Sequence, residues 1–355
     1  LKKRTLISDI AKHLKVSTAT VSLVLNGKAK QSRISDAVAQ RVRAYVDEVG
    51  YKPNQLAKSL RTGKTQVIGL VVEDISNPFF AMVAWLIEKQ AFERGYRIIY
   101  CSTDNNTEKT KELISMFQER HVDGYIIVPA KGIEEDLRTI LREQIPTVLF
   151  DRFLPELLTN YVVVDGAAGT SAATQHLLDE GFTNIAFVTT DSTQTQMEER
   201  LHGYARVLEE HSLLQTVKRV AETKDAAKAI ADITAFIQAN RQCDAIIFST
   251  NYLGIYGLEA ISRLELSIPT ALGVISYDDH DLFRLYEPAI TVIAQPVERI
   301  AQHVIDILLE ELKPRGKVTP LSMQQVVLSP ALVVRKSSLR NGTVSAAPSK
   351  KYRTG

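Results

Sequence analysis

The stretch Val16-Ser17-Thr18-Ala19-Thr20-Val21-Ser22-Leu23-Val24-Leu25-Asn26-Gly27 decides how this chain is read. Ser17 is a good N-cap, because its hydroxyl can pair one of the amides that a first helical turn leaves open. Val16 before the cap and Val21 four residues into the helix form a hydrophobic staple. Val21, Val24 and Leu25 share one side of the predicted helix; Ala19, Ser22 and Leu23 cluster on the other, with Thr18 at the margin. Asn26-Gly27 ends it. Upstream, Ile7, Ile10, Ala11 and Leu14 follow the spacing of one apolar helix face, and a short turn, Lys15-Val16, leads to the Ser17 cap. Downstream, Ser35 caps a third helix with Val38, Val42, Tyr45, Val46 and Val49 inward and Gly50 as its stop. Three short helices with a tight first turn make a helix-turn-helix unit.

Charge gives this unit a partner. Residues 1–65 hold 14 Lys+Arg against 4 Asp+Glu, a net of +10, so the other 290 residues carry about −8. A basic end on an acidic body suggests a polyanion-binding module. A helix-turn-helix puts the N-terminal part of its second helix in the major groove of double-stranded DNA. There Thr18 can hydrogen-bond a base edge or a phosphate, while Ala19 and Leu23 offer apolar contacts such as those to thymine methyls. Ser17, Thr20 and Ser22 suit phosphates, which fix register without reading sequence. The alternatives are a solvated basic tail and a three-helix protein-binding domain; the strong patterning opposes the first and the basic excess the second.

Next come Tyr51-Lys52-Pro53-Asn54 and Gln55-Leu56-Ala57-Lys58-Ser59-Leu60-Arg61. Pro53 biases Lys52 away from helix, and Asn54 fits as the N-cap of a one- to two-turn helix. So short a helix is marginal alone in water and orders only against a partner, which suits a coupling element. Val16 to Ser22 followed by Asn26, with Gly50-Tyr51-Lys52-Pro53-Asn54 downstream, resembles the headpiece and hinge of the LacI/GalR family. The resemblance implies that two hinge helices pair over the operator centre and that Leu60 of each wedges into the minor groove, with Ala57 at the neighbouring contact. It maps base reading onto Thr18, Ala19 and Leu23. Leu23 departs from the polar or basic residue common there, so no relative's operator preference carries over. The structural alternative for Leu60 is packing on the core. Arg61-Thr62-Gly63-Lys64-Thr65 imitates the end of a phosphate-binding P-loop, but Lys58 stands where that motif needs glycine, and the strand and helix come in the wrong order.

From Val67 the chain alternates short apolar runs (67–72, 98–100, 125–128, 148–150, then 185–188, 245–248 and 272–275) with helical patterns such as 81–94 and 108–120. Strands buried on both faces and alternating with helices indicate parallel sheets covered by helices. Two such sets in series predict an α/β core of two Rossmann-like subdomains, periplasmic-binding-protein-like, preceded by a small all-α headpiece. The expected divisions are 1–50 headpiece, 51–65 hinge and linker, 66–336 effector-binding and dimerisation core, and 337–355 disordered tail. In open α/β sheets a ligand lies in the crevice at the carboxyl ends of the strands. The resemblance, which covers about residues 5–336, implies a monosaccharide pocket made of Asn77, Phe79, Phe80, Asp151, Arg152, Arg200, Asn251, Asp278 and Gln295. The chemistry agrees: aromatic faces cover the C–H faces of a sugar, while charged and amide groups give directional bonds to its hydroxyls. Two Asp against two Arg favour an uncharged ligand. Phe79 and Phe80 also read as plain core, and Asp151-Arg152 as a structural ion pair. Tyr252 stands where many relatives carry Asp, which leaves pocket size and ligand identity open.

Other features narrow the class. No apolar run approaches a membrane span, and no signal core follows the basic start. Cys101 and Cys243 lack ligand spacing, which suits a reducing cytoplasm. The run Asp278-Asp279-His280-Asp281 is no metal site, because adjacent loop residues point different ways. No nucleophile or acid/base set and no GxGxxG turn suggest an enzyme or a cofactor. Trp85, in a helical pattern, reads as core or dimer-interface packing. The tail lacks leucine heptads, so a homodimer is expected.

Overall fold

A computed structural model describes residues 5–51, 59, 63–221, 225–313 and 323–340. The chain divides between Thr65 and Gln66 into two compact units.

In the first unit, α1 (Ile7–Leu14), α2 (Thr18–Leu25) and α3 (Asp36–Glu48) enclose Ile10, Ala11, Val21, Val24, Ala29, Ala39, Val42 and Val46. Local chemistry sets their ends. Ser17 Oγ accepts from the Thr20 amide at 3.0 Å, and Ser35 Oγ accepts from Val38 at 3.4 Å. Lys15 closes α1 in the left-handed region (φ 54°), and Gly27 stands at φ 71° just beyond α2, where a side chain would be strained. His13 stacks on Tyr45 with ring centroids 4.0 Å apart, tying α1 to α3. Val49 lies at the margin, not in this core, because α3 ends at Glu48. Ala57, Leu60 and most of the expected hinge helix lie outside the described residues.

The second unit begins with β1 (Val67–Val72), α4 (Pro78–Glu93), β2 (Arg97–Ser102), α5 (Thr107–Glu119), β3 (Gly124–Ile127), α6 (Glu134–Arg142), β4 (Thr147–Phe150) and β5 (Asn160–Val164). It continues with α7 (Gly166–Asp179), β6 (Ile185–Thr190), α8 (Thr195–Glu210), β7 (Thr216–Val220), α9 (Ala226–Ala239), β8 (Ala245–Phe248), α10 (Asn251–Arg263), β9 (Gly273–Tyr277), α11 (Asp281–Leu285) and β10 (Thr291–Ala294). Then follow α12 (Val297–Glu311), β11 (Gln325–Leu328) and β12 (Ala331–Val333). One six-stranded sheet runs β11-β5-β4-β3-β1-β2 and the other β12-β10-β9-β8-β6-β7. All neighbours are parallel except β10 and β12. The central strands β3, β4, β6, β8 and β9 are buried throughout, hence their mainly apolar sequences, with Thr and Ser as the only polar residues among them.

The two halves are not simply in series. The chain passes between them after β5, after β10 and again between β11 and β12. α12 thus returns to pack Ile300, Val304, Ile305 and Leu308 against α4 and the first sheet. The predicted tail also starts too early: Ser337 and Ser338 are fully buried, Ser337 Oγ donates to the Val274 carbonyl at 2.6 Å, and Leu339 is buried. Trp85 is 54% exposed, so it is not core.

α7 and α8 meet at Gly203. A Cβ there would lie 2.2 Å from the Ala167 carbonyl oxygen and 2.2 Å from Thr170 Oγ1. Backbone cannot yield as a flexible side chain can, so Gly203→Ala is expected to destabilise the second unit by about 2–3 kcal/mol in urea unfolding. An unchanged midpoint would mean that the two helices part without cost.

Candidate functional site

In the first unit the candidate surface is the outer face of α2. Thr18 and Ala19 are exposed and Leu23 half-buried, one turn further on. Ser17 already caps the helix and shares a hydrogen bond with Thr20 Oγ1 at 2.8 Å. Asn26 Nδ2 donates to the Ser22 carbonyl at 2.6 Å and lies 3.3 Å from its hydroxyl, closing the far end of the same face. Thr18 and Ala19 are therefore the most exposed residues of α2, with Leu23 half-buried beyond them.

In the second unit a cleft of about 760 Å³ lies where the carboxyl ends of both sheets meet. Asn77, Phe79, Phe80, Asp151, Arg200, Asn251, Asp278 and Gln295 all line it. Asn77 caps α4, accepting from the Phe79 amide at 3.0 Å, and the same oxygen accepts from Asn251 Nδ2 at 3.0 Å across the cleft. Phe79 and Phe80 belong both to the core and to the wall: they pack edge-on with centroids 5.0 Å apart. Asp151 follows β4 and Asp278 follows β9, matching positions in the two sheets. Each has a left-handed backbone (φ 68° and 66°), and each amide donates to the neighbouring strand, Val162 at 3.2 Å and Ile293 at 2.9 Å. The two subdomains thus present a carboxylate each from the same strained turn.

Arg200, on α8, stands between them. Its Nη1 donates to the Ser249 carbonyl at 2.7 Å, and its guanidinium lies over the Tyr277 ring at 3.6 Å. Burial pushes Asp151 up to about 6, opposed by Arg152 and Arg200. Burial also raises Asp278, opposed by Arg200 and by Gln295, whose Nε2 donates to Oδ1 at 2.7 Å.

Arg152 is the exception. It does not line the cleft: its buried Nη2 donates to Glu73 Oε2 and to Asn105 Oδ1, both at 2.7 Å. It is an ion pair, but with Glu73 rather than with its neighbour Asp151. Glu73 and Asn105 are lining residues that the sequence reading missed, although each follows a strand, β1 or β2. Gln196, Tyr252, Tyr256 and His280 also line the cleft. The acidic run separates as expected of loop neighbours: Asp278 meets Gln295, Asp279 meets Arg335, His280 caps the Leu282 amide and Asp281 meets Arg284.

Comparison with known proteins decides the family. Residues 6–54 match bacterial regulatory proteins of the lacI family, and residues 174–338 match a periplasmic binding protein-like domain. The chain is 31% identical to the HTH-type transcriptional repressor PurR of Aliivibrio fischeri, over 87% of this chain and 92% of that one. The chain belongs to the LacI family. It is likewise 30% identical to the ribose operon repressor of Halalkalibacterium halodurans, over 94% and 97% of the two chains. Its fold is that of the lac repressor, solved as a dimer bound to operator and an anti-inducer: TM-score 0.83 at 20% identity, covering 95% of this chain and 100% of that one. As a member of this family the chain is a DNA-binding transcription regulator whose operator affinity a small-molecule effector controls, and not an enzyme. Among the described residues no helix is long and apolar enough to cross a membrane.

Proposed function

We propose that the chain binds a roughly palindromic operator as a two-fold dimer, and that an uncharged monosaccharide in the cleft sets its operator affinity. The observation that carries the sugar reading is the convergence of eight residues, drawn from both subdomains, on one cleft of sugar-binding chemistry. Phe79 and Phe80 offer apolar faces, while Asn77, Asn251, Gln295, Asp151, Asp278 and Arg200 offer directional donors and acceptors. Arg152 acts at one remove, by fixing Glu73 and Asn105. Carboxylates outnumber guanidinium groups along the wall, which disfavours phosphorylated sugars and uronic acids. The ribose operon repressor among the relatives makes a free pentose the first ligand to try.

On the DNA side, Thr18, Ala19 and Leu23 read base edges, Ser17, Thr20 and Ser22 approach phosphates, and Asn26 fixes the end of the reading helix. Ala57 and Leu60 serve the hinge. Exposed Met82 and Trp85 on α4, with Ile99 and Tyr100 on the edge strand β2, support a second copy as the cover of that side. Sugar acts by binding the operator-competent and incompetent forms with unequal affinity.

The test is calorimetric titration of the full chain with pentoses, hexoses, uronic acids and their phosphates. Saturable binding of an uncharged sugar is expected; binding of phosphorylated sugars alone contradicts the charge argument, and binding of none contradicts the sugar.

The Asp151 carboxylate makes that binding pH-dependent. Sugar hydroxyls donate to the ionised form, so affinity is full above pH 7 and falls towards about tenfold per unit below 6. Stability runs the other way. The folded value lies above the unfolded one, so the stabilisation is present below about 4 and is lost as pH rises through 6. Asp151→Asn, which tolerates the left-handed turn, is therefore expected to reduce the pH dependence of sugar binding, leaving the part due to Asp278, and to weaken binding. It also raises stability by about 1 kcal/mol at pH 7 but not at pH 4, since the open cleft discounts the full shift. Equal effects on stability at both pH values would refute the assignment.

A further inference from the structure

The cleft is longer than the sugar set. Along the second sheet, Gln295 follows β10, Asp278 follows β9 and Asn251 follows β8. The same cavity runs on past Thr190 at the end of β6 to Val220 at the end of β7. From β9 to β7 is three strand spacings, β9-β8-β6-β7, or about 14 Å at the usual inter-strand distance. At about 760 Å³ the cavity lies in the upper part of the usual range for small-molecule pockets.

The far end differs in chemistry. Val220, Ala229 on α9, and Tyr252, Ile255 and Tyr256 on α10 line it. Tyr252, Ile255 and Tyr256 follow the i, i+3, i+4 spacing of one helix face, and the two tyrosine rings meet edge-on with centroids 6.2 Å apart. These five wall residues carry no formal charge at neutral pH, whereas Asp151, Arg200 and Asp278 crowd the other end. Asn251, the first residue of α10, joins the two regions: the hydroxyl-binding set stops there and the apolar wall begins with the next residue.

We infer that the monosaccharide unit held by this set is the sugar of a glycoside, its anomeric substituent a second, uncharged ring lying on the Val220, Ala229, Tyr252, Ile255 and Tyr256 wall. This rests on the sugar reading of the cleft and extends it. The shared chemistry is a flat face: a nucleobase, an aryl group or the C–H face of a second sugar each matches the aromatic and aliphatic wall.

The experiment compares free sugars with their ring-bearing counterparts by calorimetry on the full chain: ribose against adenosine and uridine, glucose against cellobiose and phenyl β-D-glucoside. At least one glycoside is expected to bind ten-fold or more tighter than its parent sugar, and which one does so identifies the second ring. Tyr256→Ala is expected to remove that gain while leaving the free sugar within two-fold. Ala229→Leu, which fills the compartment without removing a ring, is expected to do the same, and guards against a loss of fold in the first variant. Free sugar binding as tightly as every glycoside overturns the second ring and spares the sugar site. A gain that survives both substitutions overturns the assigned wall. Binding of neither class overturns both readings.

Discussion

Arg200→Met is expected to lower effector affinity at least a hundred-fold while leaving operator binding in the absence of effector unchanged. Arg200 is a buried guanidinium that acts on two half-buried carboxylates, Asp151 and Asp278, and it lowers the proton affinity of each. Without it both carboxyls move further towards their neutral forms and lose acceptor strength. Its bond to the Ser249 carbonyl also holds the loop that leads through Thr250 to Asn251, so the amide side of the site loosens as well. Removing one member of such a charge set costs about 2–5 kcal/mol, a range that includes the ~2.7 kcal/mol of a hundred-fold loss. Calorimetry gives the first number; anisotropy with an operator selected from a random palindromic pool gives the second. A variant whose operator complex still responds to effector as the original does would remove Arg200 from the site.

Leu60→Ser is expected to weaken operator binding about a hundred-fold or more, with effector affinity unchanged within about two-fold. An apolar wedge between base steps repays the few kcal/mol of unstacking through the contacts that bent DNA permits. A serine hydroxyl cannot fill the unstacked step. The same operator titration, run beside calorimetry with effector, checks both halves. Unimpaired operator affinity would show that the hinge of this chain binds without a wedge.

The headpiece was legible because its signals are local. A cap at Ser17, a stop at Asn26-Gly27 and an apolar face on each helix are written within a few residues of one another, and no distant partner overrides them. Val49 misled only because one residue separates the end of α3 from its apolar pattern. The cleft was legible for a topological reason. Parallel sheets deliver functional side chains just after strands, so Asn77, Asp151, Asn251, Asp278 and Gln295 could be found by locating strand ends.

What failed depended on direction and on long-range return. Asp151 and Arg152 are adjacent, yet their side chains diverge, one into the cleft and one behind it towards Glu73 and Asn105. Spacing alone does not distinguish the two. β7, Thr216-Val217-Lys218-Arg219-Val220, is an edge strand whose charged residues mask its apolar alternation. The return of α12 and β11 to the first sheet is set by packing against α4 and β5, hundreds of residues upstream in places. Ser337 and Ser338 looked like a polar tail because their partners, Val274, Thr291 and His176, are remote in sequence.

The central claim is a coupling between the cleft and the operator, and linkage makes it measurable from both ends. Operator affinity of the full chain should be determined with and without a saturating cleft ligand, and the affinity of that ligand with and without saturating operator. The account predicts one factor in both directions, about 5- to 150-fold as is common for such coupling. A ligand that binds the cleft, and loses that binding in Arg200→Met, yet leaves operator affinity unchanged would contradict it.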